Sequence, residues 1–326
     1  MKLLSVNYHY VGMENYKYPG INSLDEETFY KHVIFLKSNF DLIGLNDLNN
    51  LQDNGNYCLI TFDDGLMCHF EKVYPMMKTY NFPAAFFIST KPLIEKKAIS
   101  IHKSQYVRSY LNPKIIDSEI EKFFESKTKL KLFDFPESLI RKHYRYDELA
   151  IGRQKYILNY ILNETERCEL IDELFNQIQK NEKKFIDDWY LNENEIKKLN
   201  DKFQCIGSHS HSHSPLAKMK INEVKNELKK SKEYLEKIID APLKVLSYPL
   251  GNPEAVSRRE AKIARKLAYE FAFTMEREIN RSLSDPLLLS RIDCNDLPKV
   301  GKKPIFSFDK DVTRKDGTLS YRSHYK

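Results

Sequence analysis

The sequence predicts an α/β fold on a parallel sheet, either open or closed into a barrel. Two observations carry this. Short, almost continuously apolar runs recur along the chain, and amphipathic helical segments lie between many of them. Continuous apolar runs are what parallel strands covered on both faces look like. Alternation of strand and helix is the pattern of that fold class.

The runs read as buried strands are LLSVNY (3–8), YCLITF (57–62), AAFFIS (84–89), FQCIGS (203–208), LKVLSY (243–248), FAFTM (271–275) and LLLSRI (287–292). Between them, SLDEETFYKHVIFLKSN (23–39) opens on a serine followed by acidic residues, a helix-start signal, and Phe29, Val33 and Leu36 share one face. A helix is expected over 69–80. NEVKNELKKSKEYLEKIID (222–240) repeats apolar residues at Val224, Leu228, Leu235 and Ile238. PEAVSRREAKIARKLAY (253–269) places a proline where a first helical turn accepts one.

Residues 92–200 break this rhythm. They are rich in Lys, Glu, Asn and Tyr, with helical periodicity near 117–126, 146–162, 164–180 and 192–200 and almost no strand-like run. So long a stretch needs structure of its own. It reads as a helical insertion between two strands of a core formed by 1–91 and 201–299. A basic, polar tail follows at 300–326.

At 326 residues, with 41% hydrophobic and 30% charged side chains, the chain is long enough for a full core and reads as globular. A net charge of +6 is mild and spread out. It suits an anionic substrate or peripheral membrane contact without demanding either. No basic, aromatic platform for nucleic acid is present. The five cysteines (Cys58, Cys68, Cys168, Cys205, Cys294) are scattered and include no CxxC pair. They indicate neither a disulfide framework nor a cysteine zinc knuckle and fit a reducing compartment. MKLLSVNYHYVG lacks the apolar length of a signal peptide, and no stretch approaches the roughly 20 apolar residues that span a bilayer. A cytoplasmic location is expected.

Two segments carry candidate chemistry. In CLITFDDGLMCHF (58–70), an apolar run ends in Asp63, Asp64 and Gly65. Adjacent carboxylates repel unless a cation or a chemical role offsets the cost. The C-terminal end of a buried strand is where such folds build sites. A turn at Gly65 can bring both acids to one cleft, one as a metal ligand and the other free as a base. In GSHSHSHSPL (207–216), His209, His211 and His213 point one way if the segment is extended. On a helix, His209 and His213 share a face and His211 does not. Either geometry lets His209 and His213 hold one cation. Two imidazoles and a carboxylate make a catalytic zinc set, and cobalt or nickel suits the same donors.

TFDDG (61–65) together with HSHSH (209–213) resembles the first two motifs of the NodB-type polysaccharide deacetylases, carbohydrate esterase family 4. FPAAFFIST (82–90), LSYPLGNP (246–253) and LLLSRID (287–293) resemble that family's next strand, third motif and last core strand. The N-terminal NYHYVG and the helix after it resemble the poly-N-acetylglucosamine deacetylase branch. The resemblance covers roughly 1–91 and 201–296. It implies a distorted (β/α)7-type barrel and metal-assisted hydrolysis of an N-acyl amide. It implies Asp64, His209 and His213 as ligands of a divalent cation, zinc first, and Asp63 as general base. It also implies an oxyanion donor at the Leu250 backbone N–H.

The chain departs from the family pattern in two places. Many members carry an arginine in the third motif where Ser247 stands, and Arg291 on the last strand is a candidate to orient Asp63 instead. Many end with a histidine that serves as general acid. Here the last strand reads SRIDCND, and His9 of the N-terminal Tyr-His strand is the acid candidate; the alternative is a structural histidine. DDW (187–189) echoes another family motif in the wrong order, and Trp189 reads as a packing residue of the insertion. His211 reads as a neighbour of the ligands and His102 as structural. The expected activity is N-deacetylation of an acylated amino sugar on a nucleotide, lipid or oligosaccharide carrier in surface-glycan synthesis. A sugar-binding protein without turnover and a deformylase or esterase are the rival readings.

Overall fold

Successive residues of a strand face opposite ways, so alternation decides which side chains of a sheet meet helices and which meet each other. The computed structural model describes residues 1–297 except 15, 128–129, 132–133 and 145–146. The expected tail at 300–326 lies outside the described residues. In chain order the first elements are β1 (Lys2–Tyr8), α1 (Glu26–Asn39), β2 (Asp41–Leu42), β3 (Asn56–Phe62), α2 (Tyr74–Tyr80), β4 (Ala85–Ile88) and α3 (Lys91–Ile94). Six helices follow: α4 (Ser100–Tyr110), α5 (Pro113–Lys127), α6 (Glu137–His143), α7 (Leu149–Tyr156), α8 (Glu164–Ile178) and α9 (Glu182–Trp189). The chain then forms α10 (Glu193–Phe203), β5 (Ile206–Ser208), α11 (Ile221–Ile239), β6 (Val245–Ser247), α12 (Arg258–Lys266), β7 (Phe271–Phe273) and β8 (Ile292–Asp293).

The described residues divide into two compact units. One holds 1–13, 23–96 and the chain from 187 onward; the other holds 14–22 and 97–186. In the first unit the strands run parallel in the order β7-β6-β5-β4-β3-β1-β8, with β2 paired to β3. The last segment touches both edges of this sheet. Leu289 bridges Phe273 of β7, and Ile292 and Asp293 pair with Val6 and Asn7 of β1. The result is the distorted (β/α) barrel the sequence predicts.

The two faces of the sheet have different partners. Leu4, Val6 and Tyr8 of β1, Ile60 and Phe62 of β3 and Phe86 and Ile88 of β4 pack with Phe29, Val33 and Leu36 of α1 and Leu228 of α11. The opposite face collects Leu3, Leu59, Ala85, Phe87, Val245, Phe273 and Leu289 in a second cluster. That inner face turns polar toward the strand ends, where Asn7, Thr61 and Asp63 follow Leu3 and Leu59 by period two. The runs are therefore less uniformly apolar in role than their composition implies.

Local signals explain where elements start and stop. Helix α1 is capped by Asp25, whose carboxylate accepts from the Thr28 N–H at 2.8 Å, and not by Ser23, which accepts from the Met13 N–H at 3.0 Å. Helix α12 begins at Arg258, well past Pro253, because Ser257 and Glu260 form a reciprocal cap there. The run FQCIGS starts inside α10: Phe203 ends that helix, Gln204 turns left-handed (φ 47°) and the strand begins at Ile206. LLLSRI likewise opens with a 3-10 turn at Pro286–Leu288 before β8. Helix α11 buries Val224, Leu228, Ser231, Leu235 and Ile239.

The second unit consists mainly of helices α4 to α8. Its core includes Val107 of α4, Ile116, Ile120 and Phe124 of α5, and Leu170, Leu174 and Phe175 of α8. Lys103 is buried there and ion-paired to Asp172 at 2.6 Å and Glu182 at 2.7 Å, as a buried ammonium requires. His102 is fully buried in α4. Trp189 belongs to the first unit, edge-on to Tyr10 at 6.3 Å.

Candidate metal centre

Asp63 continues the inward face of β3, and its backbone N–H donates to the Tyr8 carbonyl at 3.0 Å. On an unbroken strand Asp64 would point the other way. Instead Asp64 and Gly65 both take left-handed backbone, φ 82° and 74°. The turn thus starts one residue before the glycine, and both carboxylates enter one site. A non-glycine residue in that region costs energy, and such residues collect where function fixes the geometry. Gly65 has a further reason to be glycine: a Cβ there would lie 3.1 Å from the Ile88 side chain. The turn is held from outside, since the Leu191 N–H donates to the Gly65 carbonyl at 2.9 Å and Tyr190 bridges Leu66.

Asp63 is gripped by Arg291. The guanidinium forks onto the carboxylate with Nη1 to Oδ1 and Nη2 to Oδ2, both 2.8 Å. Its remaining donors reach Asn7 Oδ1, Thr61 Oγ1, the Thr274 carbonyl and Ser247 Oγ at 2.7–3.1 Å. Ser247 Oγ also lies 3.2 Å from Asp63 Oδ2 as a donor. Arg291 is fully buried. Burial alone would push the Asp63 carboxyl up, but the Arg291 charge and the nearby His209 outweigh it and bring it down to about 2. Asp63 is therefore an anion at neutral pH. The small serine at 247 leaves room for a guanidinium arriving from the last strand.

His209, Asp64 and His213 meet beside this pair. Their donor atoms all lie within 4.8 Å of one another, and all three residues are buried. Asp64 Oδ1 is 3.5 Å from His209 Nε2 and 3.3 Å from His213 Nε2. The segment carrying the histidines is neither extended nor helical. Ser210 (φ 58°) and His213 (φ 62°) are left-handed, which folds it into a tight loop. His211 is turned out of the cluster: its ring meets Thr90 Oγ1 at 3.0 Å and Glu95 Oε1 at 2.7 Å.

The donor set fits a divalent cation. His209 Nδ1–H donates to the Ser247 carbonyl at 2.8 Å, which leaves the lone pair on Nε2. That buried Nε2 makes no hydrogen bond among the described residues. A buried polar atom left so is costly, and a cation would satisfy it. An imidazole nitrogen aimed at a carboxylate and a second imidazole is the chemistry of a two-histidine, one-aspartate site.

His9 follows β1 with its side chain 41% exposed and its Nε2 3.9 Å from Asp64 Oδ2. Sequence reasoning missed its support. His69, fully buried against Phe62 and Phe86, donates from Nε2 to the His9 carbonyl at 2.8 Å. Burial pushes the His69 imidazole down to about 4, so it is neutral. Nothing local in LMCHFEKV announces this contact. Thr61, by contrast, was findable, because it lies two residues before Asp63 and so on the same face. Leu250 sits with Gly251 in a left-handed turn, φ 59° and 61°, three residues beyond Ser247.

The parallel barrel thus carries a histidine–aspartate cluster and an arginine-held carboxylate at its strand ends. The polysaccharide deacetylase profile matches residues 51–146 and 170–272, and the chain belongs to that family of hydrolases. Its fold is shared with deacetylase PplD of Streptococcus pyogenes, solved in complex with acetate (TM-score 0.54, 15% identity, 90% of this chain and 92% of that one). It is also shared with a polysaccharide deacetylase of Bacillus cereus (0.53, 15%, 90% and 65%) and IcaB of Ammonifex degensii (0.52, 11%, 89% and 91%). At such identities the likeness establishes the fold alone. No curated protein sequence matches the chain significantly.

Proposed function

We propose that the chain is a divalent-metal-dependent carbohydrate N-deacetylase, zinc-loaded, acting on an N-acetylated sugar carried by a nucleotide, a lipid or an oligosaccharide in surface-glycan synthesis. The observation that carries this reading is the juxtaposition of Asp64, His209 and His213 with the Arg291-held carboxylate of Asp63. A cation held by those three residues supplies Lewis-acid polarisation of an acyl carbonyl and makes a nearby water more acidic.

Asp63 takes the proton of the attacking water. With a pKa of about 2 it is a weak base, so it serves as a transient acceptor whose position is fixed by the guanidinium fork. His9, half-exposed beside Asp64, delivers a proton to the departing amine, and His69 fixes the backbone that carries it. The Leu250 N–H is the candidate donor to the developing oxyanion. Free thiols at Cys58, Cys68, Cys168, Cys205 and Cys294 favour work in a reducing, cytoplasmic setting. No described helix is long and apolar enough to cross a membrane.

Two results are expected. Elemental analysis of untagged protein should find about one divalent ion per chain, lost in His209→Ala and in Asp64→Ala, because each removes one of only three donors. His9→Ala should keep the ion and lose roughly 10²–10⁴-fold in turnover, the usual worth of general acid catalysis. The deciding experiment is product release from N-acetyl sugar nucleotides, lipid-linked sugars and oligosaccharides with and without a chelator. Chelator-sensitive acetate supports the proposal and formate replaces it with deformylation. No product from metal-loaded protein on any substrate favours the binding reading.

A further inference from the structure

The loop between the two candidate histidine ligands is held by one face of α11. Glu227, Lys230 and Ser231 are spaced i, i+3 and i+4, so they project to the same side of the helix. One oxygen of the Glu227 carboxylate, Oε2, accepts two successive backbone N–H groups, from His211 at 3.1 Å and Ser212 at 2.7 Å. Those amides belong to two of the three residues separating His209 from His213. One turn further on, Lys230 Nζ reaches His211 Nε2 at 2.8 Å, and Ser231 Oγ meets Ser208 Oγ at 2.8 Å.

Two consecutive amides converging on one acceptor form a concave anion-binding turn. On either side of it Ser210 and His213 have left-handed backbone, φ 58° and 62°. That backbone also aims His209 and His213 at Asp64. The loop is also held by the Thr90 and Lys91 N–H groups, which donate to the Ser210 and His211 carbonyls at 3.3 and 2.9 Å, and by the His213 N–H on Ser210 Oγ at 3.3 Å. The two amides of His211 and Ser212 still need an acceptor of their own. Glu227 supplies that acceptor from helix α11.

We infer that Glu227 is a positioning residue for the cation site: its carboxylate sets the loop conformation that brings His209 and His213 within reach of one ion. The inference rests on reading Asp64, His209 and His213 as that site. Its prediction concerns affinity and geometry, since residues that orient metal ligands are typically worth 10–100-fold in metal binding.

The test is titration of the full chain with Co²⁺, following the visible absorption of the bound ion, for wild type, Glu227→Ala and Glu227→Gln. Glu227→Ala is expected to bind Co²⁺ about 10–100-fold more weakly, with an altered band. Glu227→Gln keeps an amide oxygen that can accept both N–H bonds, and is expected to restore wild-type affinity and band shape. A purely structural role would lower melting temperature and leave both untouched. Should Glu227→Ala not fold, Glu227→Asp, one methylene too short to reach both amides, is judged by the same criterion. Wild-type binding retained in the alanine or aspartate variant overturns the inference, as does a glutamine variant as weak as alanine. Wild-type protein that binds no Co²⁺ overturns the cation site itself, and this inference with it.

Discussion

Replacing Arg291 with methionine is expected to lower the stability of the protein by about 3–5 kcal/mol, the usual cost of stranding one partner of a buried ion pair. The guanidinium is fully buried and donates to Asp63, Asn7, Thr61, Thr274 and Ser247. Methionine fills much of the volume and satisfies none of these acceptors. Most of the cost arises at Asp63, whose carboxylate would stay buried without its counter-charge. In an Asp63→Asn background the same replacement should therefore cost less, with a coupling of about 1–3 kcal/mol between the two sites. Urea unfolding of the two single variants, the double variant and wild type measures this. A loss below about 1 kcal/mol for Arg291→Met, or strict additivity, would show that the pair does not govern the barrel interior.

Asp63→Asn is expected to remove activity while sparing the cation. Asparagine keeps the size of the side chain and an oxygen for Arg291, and Asp64, His209 and His213 are unchanged. What is lost is the proton acceptor, worth roughly 10²–10⁴ in turnover. Turnover measured beside metal content separates the roles of the neighbouring acids. Asp63→Asn should hold about one ion per chain and turn over poorly, whereas Asp64→Ala should fail in both. If Asp63→Asn loses its ion as readily, the two acids act as one ligand set and the division of labour is wrong.

What was legible in the sequence was local. TFDDG and HSHSH bring chemistry-bearing residues together within five positions each, and the apolar runs mark strands because each run is itself the strand. The long-range partners were not legible in the same way. Arg291 lies 228 residues from Asp63, and only the closing register of β8 on β1 brings it across the barrel. The loop at 209–213 escaped both regular alternatives because neither allows for left-handed residues at Ser210 and His213. Helix α12 began late because a Ser257–Glu260 cap is worth more than a proline that merely tolerates a first turn. His69 gave no signal, since a lone histidine in an apolar stretch looks the same whether or not it reaches a carbonyl.

The closing strand also sets an order in time. A chain emerging from the ribosome can fold its N-terminal portion first. Asp63, Asp64 and both histidines are made well before Arg291 and Ile292. Until those residues arrive, Asp63 has no counter-charge and the edge of β1 that receives β8 is open. The growing chain thus carries its chemistry in a form that cannot yet be sealed. The last described strand is a latch: the segment that pairs with β1 also carries the guanidinium that neutralises the acid.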